Sequence, residues 1–432
     1  MIVQQIVQKA LQKAQAVQAV MLTQETSAVD FENDRLKSAQ SSQRTQIDVK
    51  VIVDGKVGFS STTDPNDIEG VVSRALEAAE FGSPAHFELP DAQALEPVKI
   101  FDPALLPLEK PEMIRMGQQM MDMIKSYNPE ILAGAAVSKT LYKVEYANSR
   151  GANYAADHTQ FEVGAAGQLV RGTDILFAGQ GIGQKKRAVD TEEIAAQAIE
   201  YFRLAEQIAP LGSGEMPVIF TPSGLIALLL SLGLAVDGKN VHLGASPLHD
   251  KLGQQIASPS LNIVDDPFVE FGPRTSAFDD EGTPRKVTPL VEKGVLRSFI
   301  YDRDTAGRAG VAPSGHGSAR RLTNLVIDAG STPYESMISG IKQGLLVHDF
   351  LGLGQGNPIN GEFSVNVFLG YKIENGKLVG RVKDVMLAGN AFEALKDIVA
   401  ISKEREWVSG PWAPLTGLMP YVQVGKLSVT AK

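Results

Sequence analysis

The metal-binding stock of this 432-residue chain is six histidines, His86, His158, His242, His249, His316 and His348, with no cysteine at all. Without cysteine there is no disulfide, no thiolate nucleophile, no iron-sulfur cluster and no zinc site with a sulfur ligand. No two histidines stand in a His-Glu-x-x-His spacing. The nearest pair, His242 and His249, has Gly244 and Pro247 between its members, which breaks the helical registration that aims two rings at one ion. No metal and no cofactor is expected, with a loop site as the remaining alternative.

Carboxylates come in two runs, Asp265-Asp266-Pro267 and Asp279-Asp280-Glu281-Gly282. Close carboxylates can split their pKa values for acid/base work or hold a hard divalent cation. The same strings also build exposed turns, because an Asp side chain bonds the backbone beside it, and turns are the favoured reading. Ser246, Ser314 and Ser318 lack a Gly-x-Ser-x-Gly setting, so a serine hydrolase has little support. The run Ser314-Gly315-His316-Gly317-Ser318-Ala319-Arg320-Arg321 reads either as a loop that clamps a peptide carboxylate through Arg320 or Arg321, or as a solvated loop. Gly179-Gln180-Gly181-Ile182-Gly183 and Gly352-Leu353-Gly354-Gln355-Gly356 lack the endings of nucleotide-binding loops and read as backbone turns.

The elements that must position these groups come from a chain with 44% hydrophobic and 21% charged residues, ordinary for a globular protein of two or three domains. With 41 basic and 50 acidic side chains the net charge is -9, so no direct binding of nucleic acid is expected, and Lys185-Lys186-Arg187 reads as a solvated turn. Apolar residues at Ile2, Val3, Ile6, Val7, Ala10, Leu11, Ala14 and Val17 predict an opening helix with one buried stripe rather than a signal sequence. The most apolar run, 224–236, is shorter than the ~20 residues of a membrane span, so a cytoplasmic protein with no membrane contact is expected.

Strands are predicted over 28–36 and 45–59, with Asp54-Gly55 as a tight turn. A helix follows, with Asp64 as N-cap and Pro65 at its first position. Six prolines between 82 and 111 predict an extended crossing segment. Met113, Met116, Met120 and Ile124 share a helical face read as core. Strands and turns over 133–183, with a connection at 148–151, precede a helix over 191–208 capped at Asp190. The Pro/Gly/Ser stretch 209–214 marks a boundary between an N-terminal α/β domain, 1–209, and a β-rich domain, 215–432, and the two are expected to have independent cores. In the second domain helices are predicted over 223–236, 333–343 and 391–398, and strands over 291–301, 322–327 and 363–373. The fold class is α+β, because helices and strands do not alternate regularly.

Five ordered strings in the second half carry a family likeness: SPSLNIVDDP (258–267), SAFDDEGTPRK (276–286), VEKGVLRSFIYDRDTAGRAG (291–310), TNLVIDAGS (323–331) and GEFSVNVFLGYKIENGKLVGRVKDVMLAGN (361–390). They resemble the TldD/PmbA family, also described as modulators of DNA gyrase and microcin-processing peptidases. The resemblance implies an N-terminal α/β domain, a β-rich C-terminal domain, a cytosolic dimer and proteolysis of unfolded or leader peptides. The family's catalytic branch carries a His-Glu-x-x-x-His helix and a late cysteine as zinc ligands. Here Leu228, Leu229 and Gly233 stand at about those helix positions and no cysteine exists. Carbon-only side chains neither bind zinc nor activate water, so the chain resembles the metal-free PmbA/TldE branch.

Two partners are then in view, a TldD-like catalytic subunit or a second copy of this chain, with an extended peptide as substrate. Asp279, Asp280, Glu281, Arg320 and Arg321 are the residues proposed for a peptide cleft or subunit interface. An independent hydrolase using the carboxylates from Asp265 to Glu281, or a homodimeric peptide-binding protein, are the alternatives.

Overall fold

The computed structural model describes residues 1–353, 356–410 and 414–431; Gly354 and Gln355 of the second glycine-rich stretch lie outside the described residues. In chain order the first half contains α1 (Ile2–Ala10), β1 (Ala16–Glu32), β2 (Arg35–Val53), β3 (Lys56–Thr62), α2 (Ile68–Glu80), α3 (Lys110–Tyr127), β4 (Leu132–Asn148), β5 (Asn153–Arg171), β6 (Asp174–Gln184) and α4 (Thr191–Leu204). The second half opens with β7 (Gly214–Phe220), α5 (Ile226–Ala235), α6 (Gly238–His242), β8 (Ile263–Asp265), β9 (Thr288–Glu292), β10 (Val295–Leu296), α7 (Arg303–Ala309) and β11 (Leu325–Ile327). It closes with α8 (Tyr334–Ser339), β12 (Gln343–Leu351), β13 (Glu362–Glu374), β14 (Lys377–Arg381), β15 (Val385–Asn390), α9 (Ala391–Lys396), β16 (Ile398–Val408) and β17 (Gly417–Ala431). The fold is α+β.

The first half builds an antiparallel sheet in the order β3-β2-β1-β4-β5-β6. Its hairpins turn on residues with positive φ, Asn33-Asp34 (50° and 65°) and Asp54-Gly55 (48° and 74°), whose twist matches that of the flanking strands. The Asn33-Asp34 turn divides the strand expected over 28–36. The opening helix stops at Ala10, and Val17 belongs to β1. There the buried side chains alternate, Val17, Ala19, Met21, then Val29 and Phe31, so every helix of this half packs on one sheet face. α2 starts at Ile68 with Asp67 as N-cap, correcting Asp64 and Pro65; Asp64 instead accepts from the Asn66 N–H in a turn. Asp190 caps α4 as expected, accepting from Glu192 and Glu193 N–H.

The second half forms an eleven-stranded mixed sheet around the long β17, which pairs with β7, β11, β15 and β16. α5, apolar but for the buried Ser231, belongs to the same apolar cluster as Leu345, Val347 and Leu387. The strand expected over 291–301 is a short β9–β10 hairpin, because Lys293-Gly294 (φ 48° and 74°) reverses the chain inside it.

The two halves do not have independent cores. Met113, Met120, Phe161 and Phe202 of the first half share one apolar cluster with Ile219, Ile338, Leu369 and Ile373 of the second. The connection is fixed as well: Ala209 donates to Arg381 O and Arg381 to Gln207 O, each at 2.8 Å, while Ser213 Oγ bonds Ala431. Arg381, itself buried, adds an ion pair at 2.5 Å to Asp174 in the β5–β6 hairpin.

Candidate functional site

α5 occupies the place where the resemblance puts metal ligands. Leu228 and Leu229 are 0% and 1% exposed, and Gly233 faces Leu322 and Leu415. The side chains at these three positions carry no lone pair, so the residues present there do not fit a zinc ion. Among the described residues no group of three or more His, Asp or Glu is placed to hold a metal. His348 is buried on Thr221 (Nδ1 to Oγ1 3.3 Å) and against the Tyr201 ring, and burial pushes its pKa down to about 4.

The run Asp279-Asp280-Glu281-Gly282 is a turn, and it fastens the two halves together. Asp279 Oδ1 accepts from Glu281 and Thr283 N–H, each at 2.9 Å, and Oδ2 from Gly317 N–H at 2.8 Å. Burial raises the Asp279 pKa, against the opposing Arg285 charge. Asp280, exposed, accepts from the Ser318 N–H and hydroxyl. Glu281 is 4% exposed; its Oε2 accepts from Arg303 N–H at 2.9 Å and Oε1 lies 3.7 Å from Lys50 on β2. Burial outweighs Lys50 and pushes the carboxyl up to about 7. From the first sheet, Gln18 donates to Asp280 O and Tyr146 to Glu281 O, each at 2.9 Å. Gly282 sits at φ 72°, and a Cβ there would stand 2.1 Å from the Tyr146 ring, so the turn needs glycine.

The other run is also structural. Asp265 accepts from Thr323 N–H (2.6 Å) and its hydroxyl (2.7 Å), and lies 3.1 Å from His316 Nε2, whose Nδ1 is 2.8 Å from Ser314 Oγ. This Ser-His-Asp chain is buried throughout. Ser314 Oγ is also held by the backbone of Tyr301 on both its N–H and C=O, so it is no nucleophile awaiting a substrate. Asp266 accepts from Phe268 N–H, the turn expected before Pro267.

The basic pair separates. Arg320 Nε donates to Asp237 at 2.6 Å and Nη1 to Asp302 and to Ser318 O. Its guanidinium is thus committed, which corrects the reading of Arg320 as a free clamp for a peptide carboxylate. Arg321 is exposed and lies near Arg274, whose pKa is lowered by burial first and by Arg321 second. Lys185 is not in a solvated turn: it is 4% exposed, and burial brings its amine down to about 7. Beside it His158, stacked on Tyr142 at 4.5 Å, is pushed down to about 3 by burial and then by the Lys185 charge. Arg187 pairs with Glu112.

Sequence reasoning missed a concave feature among the described residues, a groove of ≈ 880 Å3 on the sheet face opposite the helices. Small residues floor it and Asp30, Tyr142 and Glu162 line its sides. Ser409 borders it, its hydroxyl donating to Gly183 O and accepting from Gly183 N–H, each at 2.9 Å. The signal was present as Gly179, Gly181 and Gly183 at alternate positions of one strand, which puts all three on one face.

Comparisons with known proteins place these features. A family model described as the PmbA/TldA metallopeptidase C-terminal domain matches residues 213–431, and one for domain 1 of the same metallopeptidases matches residues 18–79. An uncharacterized protein of Methanocaldococcus jannaschii is 27% identical, over 87% of this chain and 88% of that one. The metalloprotease PmbA of Escherichia coli is 24% identical, over 83% and 81%. The structure of TldE from Thermococcus kodakarensis superposes with a TM-score of 0.91 at 20% identity, covering all of both chains. That of a Thermotoga maritima protein described as a candidate modulator of a DNA gyrase gives 0.90 at 22%, covering 99% of each. With a whole-length fold in common and a family domain matched over half of the sequence, this chain belongs to the PmbA/TldD family of metallopeptidase-like proteins.

Proposed function

We propose that this chain is the non-catalytic, TldE-like subunit of a cytoplasmic TldD/TldE-type metalloprotease, in which a separate catalytic chain supplies the zinc and this chain helps enclose an unfolded or leader peptide. The observation that supports this reading is α5, where Leu228 and Leu229 are packed at 0% and 1% exposure at about the positions where the resemblance puts the catalytic branch's His and Glu. A metal site cannot be restored there by a rotamer change, since both side chains are part of the apolar core. The carboxylate runs give no support to an independent hydrolase, because each is taken up by backbone N–H donors. No helix among the described residues is long and apolar enough to cross a membrane, and the -9 net charge argues against direct DNA contact.

The test is co-expression with a family member that carries His-Glu-x-x-x-His. We expect the two chains to co-purify, zinc to be stoichiometric with the partner alone, and peptide turnover to need both. Zinc at one equivalent on this chain by itself, or turnover by this chain by itself, would refute the proposal.

A further inference from the structure

The open face of the first sheet has a composition that solvent alone does not explain. Antiparallel strands facing water ordinarily carry long polar side chains there. On β4, β5 and β6 that face presents Ala136 opposite Gly164 opposite Gly181, and Ala166 opposite Gly179. The other face of the same strands is ordinary core, with Val137, Phe161, Val163 and Leu169 under α3 and α4. Glycine inside a strand costs stability, and its usual return is close approach of a ligand or another backbone. Among the described residues nothing makes that approach at Gly164 or Gly181, where a built Cβ meets only atoms of the neighbouring strand, at 3.3–3.6 Å. The far part of the face is covered, where Tyr146 and Tyr154 pack on Phe278, so the bare part is a bounded groove.

Its charge is one-sided. Among the described residues that line the groove there are three carboxylates, Asp30, Glu32 and Glu162, and no Lys, Arg or His. Glu32 is taken by Lys37, and Asp30 accepts the Ser38 hydroxyl. Glu162, directly across from Ser138, has the side chains of Ser138 and Gln160 beside its carboxylate, and burial raises its pKa. A carboxylate in that setting gains most from a cation brought in by a ligand.

We propose that this groove seats an extended peptide, backbone over the Gly/Ala floor, with a lysine or arginine side chain paired to Glu162. The inference rests on the reading of the chain as a peptide-handling subunit and adds a site and a side-chain preference to it. Its volume, ≈ 880 Å3, is within the range of ligand clefts, ~300–1,000 Å3. The small floor admits the main chain of almost any sequence, and Glu162 supplies the selection.

The experiment uses the full chain and two fluorescein-labelled hexapeptides of alanine and glycine, one with a central lysine and one with norleucine in its place. Fluorescence anisotropy should show the lysine peptide binding about tenfold more tightly, a difference of ~1.4 kcal/mol. Glu162→Gln should abolish that preference, Glu162→Asp should keep part of it, and Ala136→Gln, which fills the floor from the open side, should weaken both peptides. Melting curves show whether each variant is folded. Equal binding of the two peptides, no binding of either, or a preference that survives Glu162→Gln overturns the proposal. So does Ala136→Gln converting a dimer to a monomer without affecting peptide binding, which would assign the face to a second copy. Co-purification with the catalytic partner is scored separately. Loss of that assembly with lysine preference intact would sink the subunit reading and leave this site standing.

Discussion

Arg320 Nε donates to the Asp237 carboxylate at 2.6 Å, and the Asp237 side chain is also the N-cap of α6, accepting from Lys239 N–H. The same guanidinium reaches Asp302, the N-cap of α7. One side chain thus pairs with two capping acids and ties together two helices that touch. Arg320→Ala leaves both carboxylates without their cation in a largely buried place, and should cost ~2–4 kcal/mol. Arg321→Ala, at an exposed position, should stay within ~0.5 kcal/mol. Urea unfolding of the two variants checks this, and equal losses would contradict the asymmetry. The contrast also makes Arg321→Ala the cleaner variant for probing peptide turnover or subunit assembly.

Glu281 makes stability depend on pH in the direction opposite to an ordinary paired carboxylate. Its folded pKa, about 7, is above its value of 4.5 in the absence of the fold. The folded state therefore holds the proton more tightly, and the stabilisation this gives is complete below pH 4.5 and lost as pH rises through 7. Relative to Glu281→Gln, wild type should lose on the order of 2 kcal/mol between pH 5 and pH 8. Parallel stability curves for the two proteins over that interval would count against a buried protonated Glu281.

Lys185 is a buried amine whose only resolved influence is desolvation, which lowers it from 10.5 to about 7. A depressed folded value means that stability falls as pH drops from 10.5 towards 7, where the unfolded chain gains a proton that the folded chain resists. Lys185→Met removes that penalty and keeps the packing, so it should stabilise the protein by about 4 kcal/mol at pH 7 and progressively less towards pH 10. Thermal denaturation at pH 7 and pH 9.5 measures the change; a destabilised variant at pH 7 would show that the amine has a partner.

The cluster joining Met120 and Phe202 to Leu369 and Ile373 predicts the behaviour of the halves. A fragment ending at residue 209 leaves Met113, Met120 and Phe202 without part of their cover. It should bind a hydrophobic dye and aggregate, whereas the full chain should not. A soluble, cooperatively melting fragment with no dye binding would restore the picture of two independent cores.

Much of this was legible in the sequence wherever the cause is local. Asp190 before a helical apolar pattern, Asp54-Gly55 between alternating strands and the strongly apolar α5 each follow from near neighbours and a period of 2 or 3.6. That Leu228 and Leu229 have no ligand atoms wherever they are placed is equally local. Errors arose where short apolar runs fit two periods, as at Val17, or where a turn of ordinary residues such as Asn33-Asp34 or Lys293-Gly294 hid inside a strand pattern.

What only the tertiary structure decided is which groups are left over once partners far apart in sequence have met. Arg320 and Arg321 are adjacent and chemically alike, yet one is committed to Asp237 and Asp302 and the other is exposed. Lys185 and Arg187 belong to one basic run, but the fold buries the first with no carboxylate partner among the described residues and gives the second Glu112. Glu281 became a fastener between halves because Lys50, Tyr146 and Arg303 converge on it from separate elements. The groove beside Glu162 exists because three strands align their small residues on one face and the described residues of the second half cover just part of it. Composition and spacing fix the kind of chemistry each residue can do; the long-range pairing of charges and the covering of faces select which of them remain free to do it.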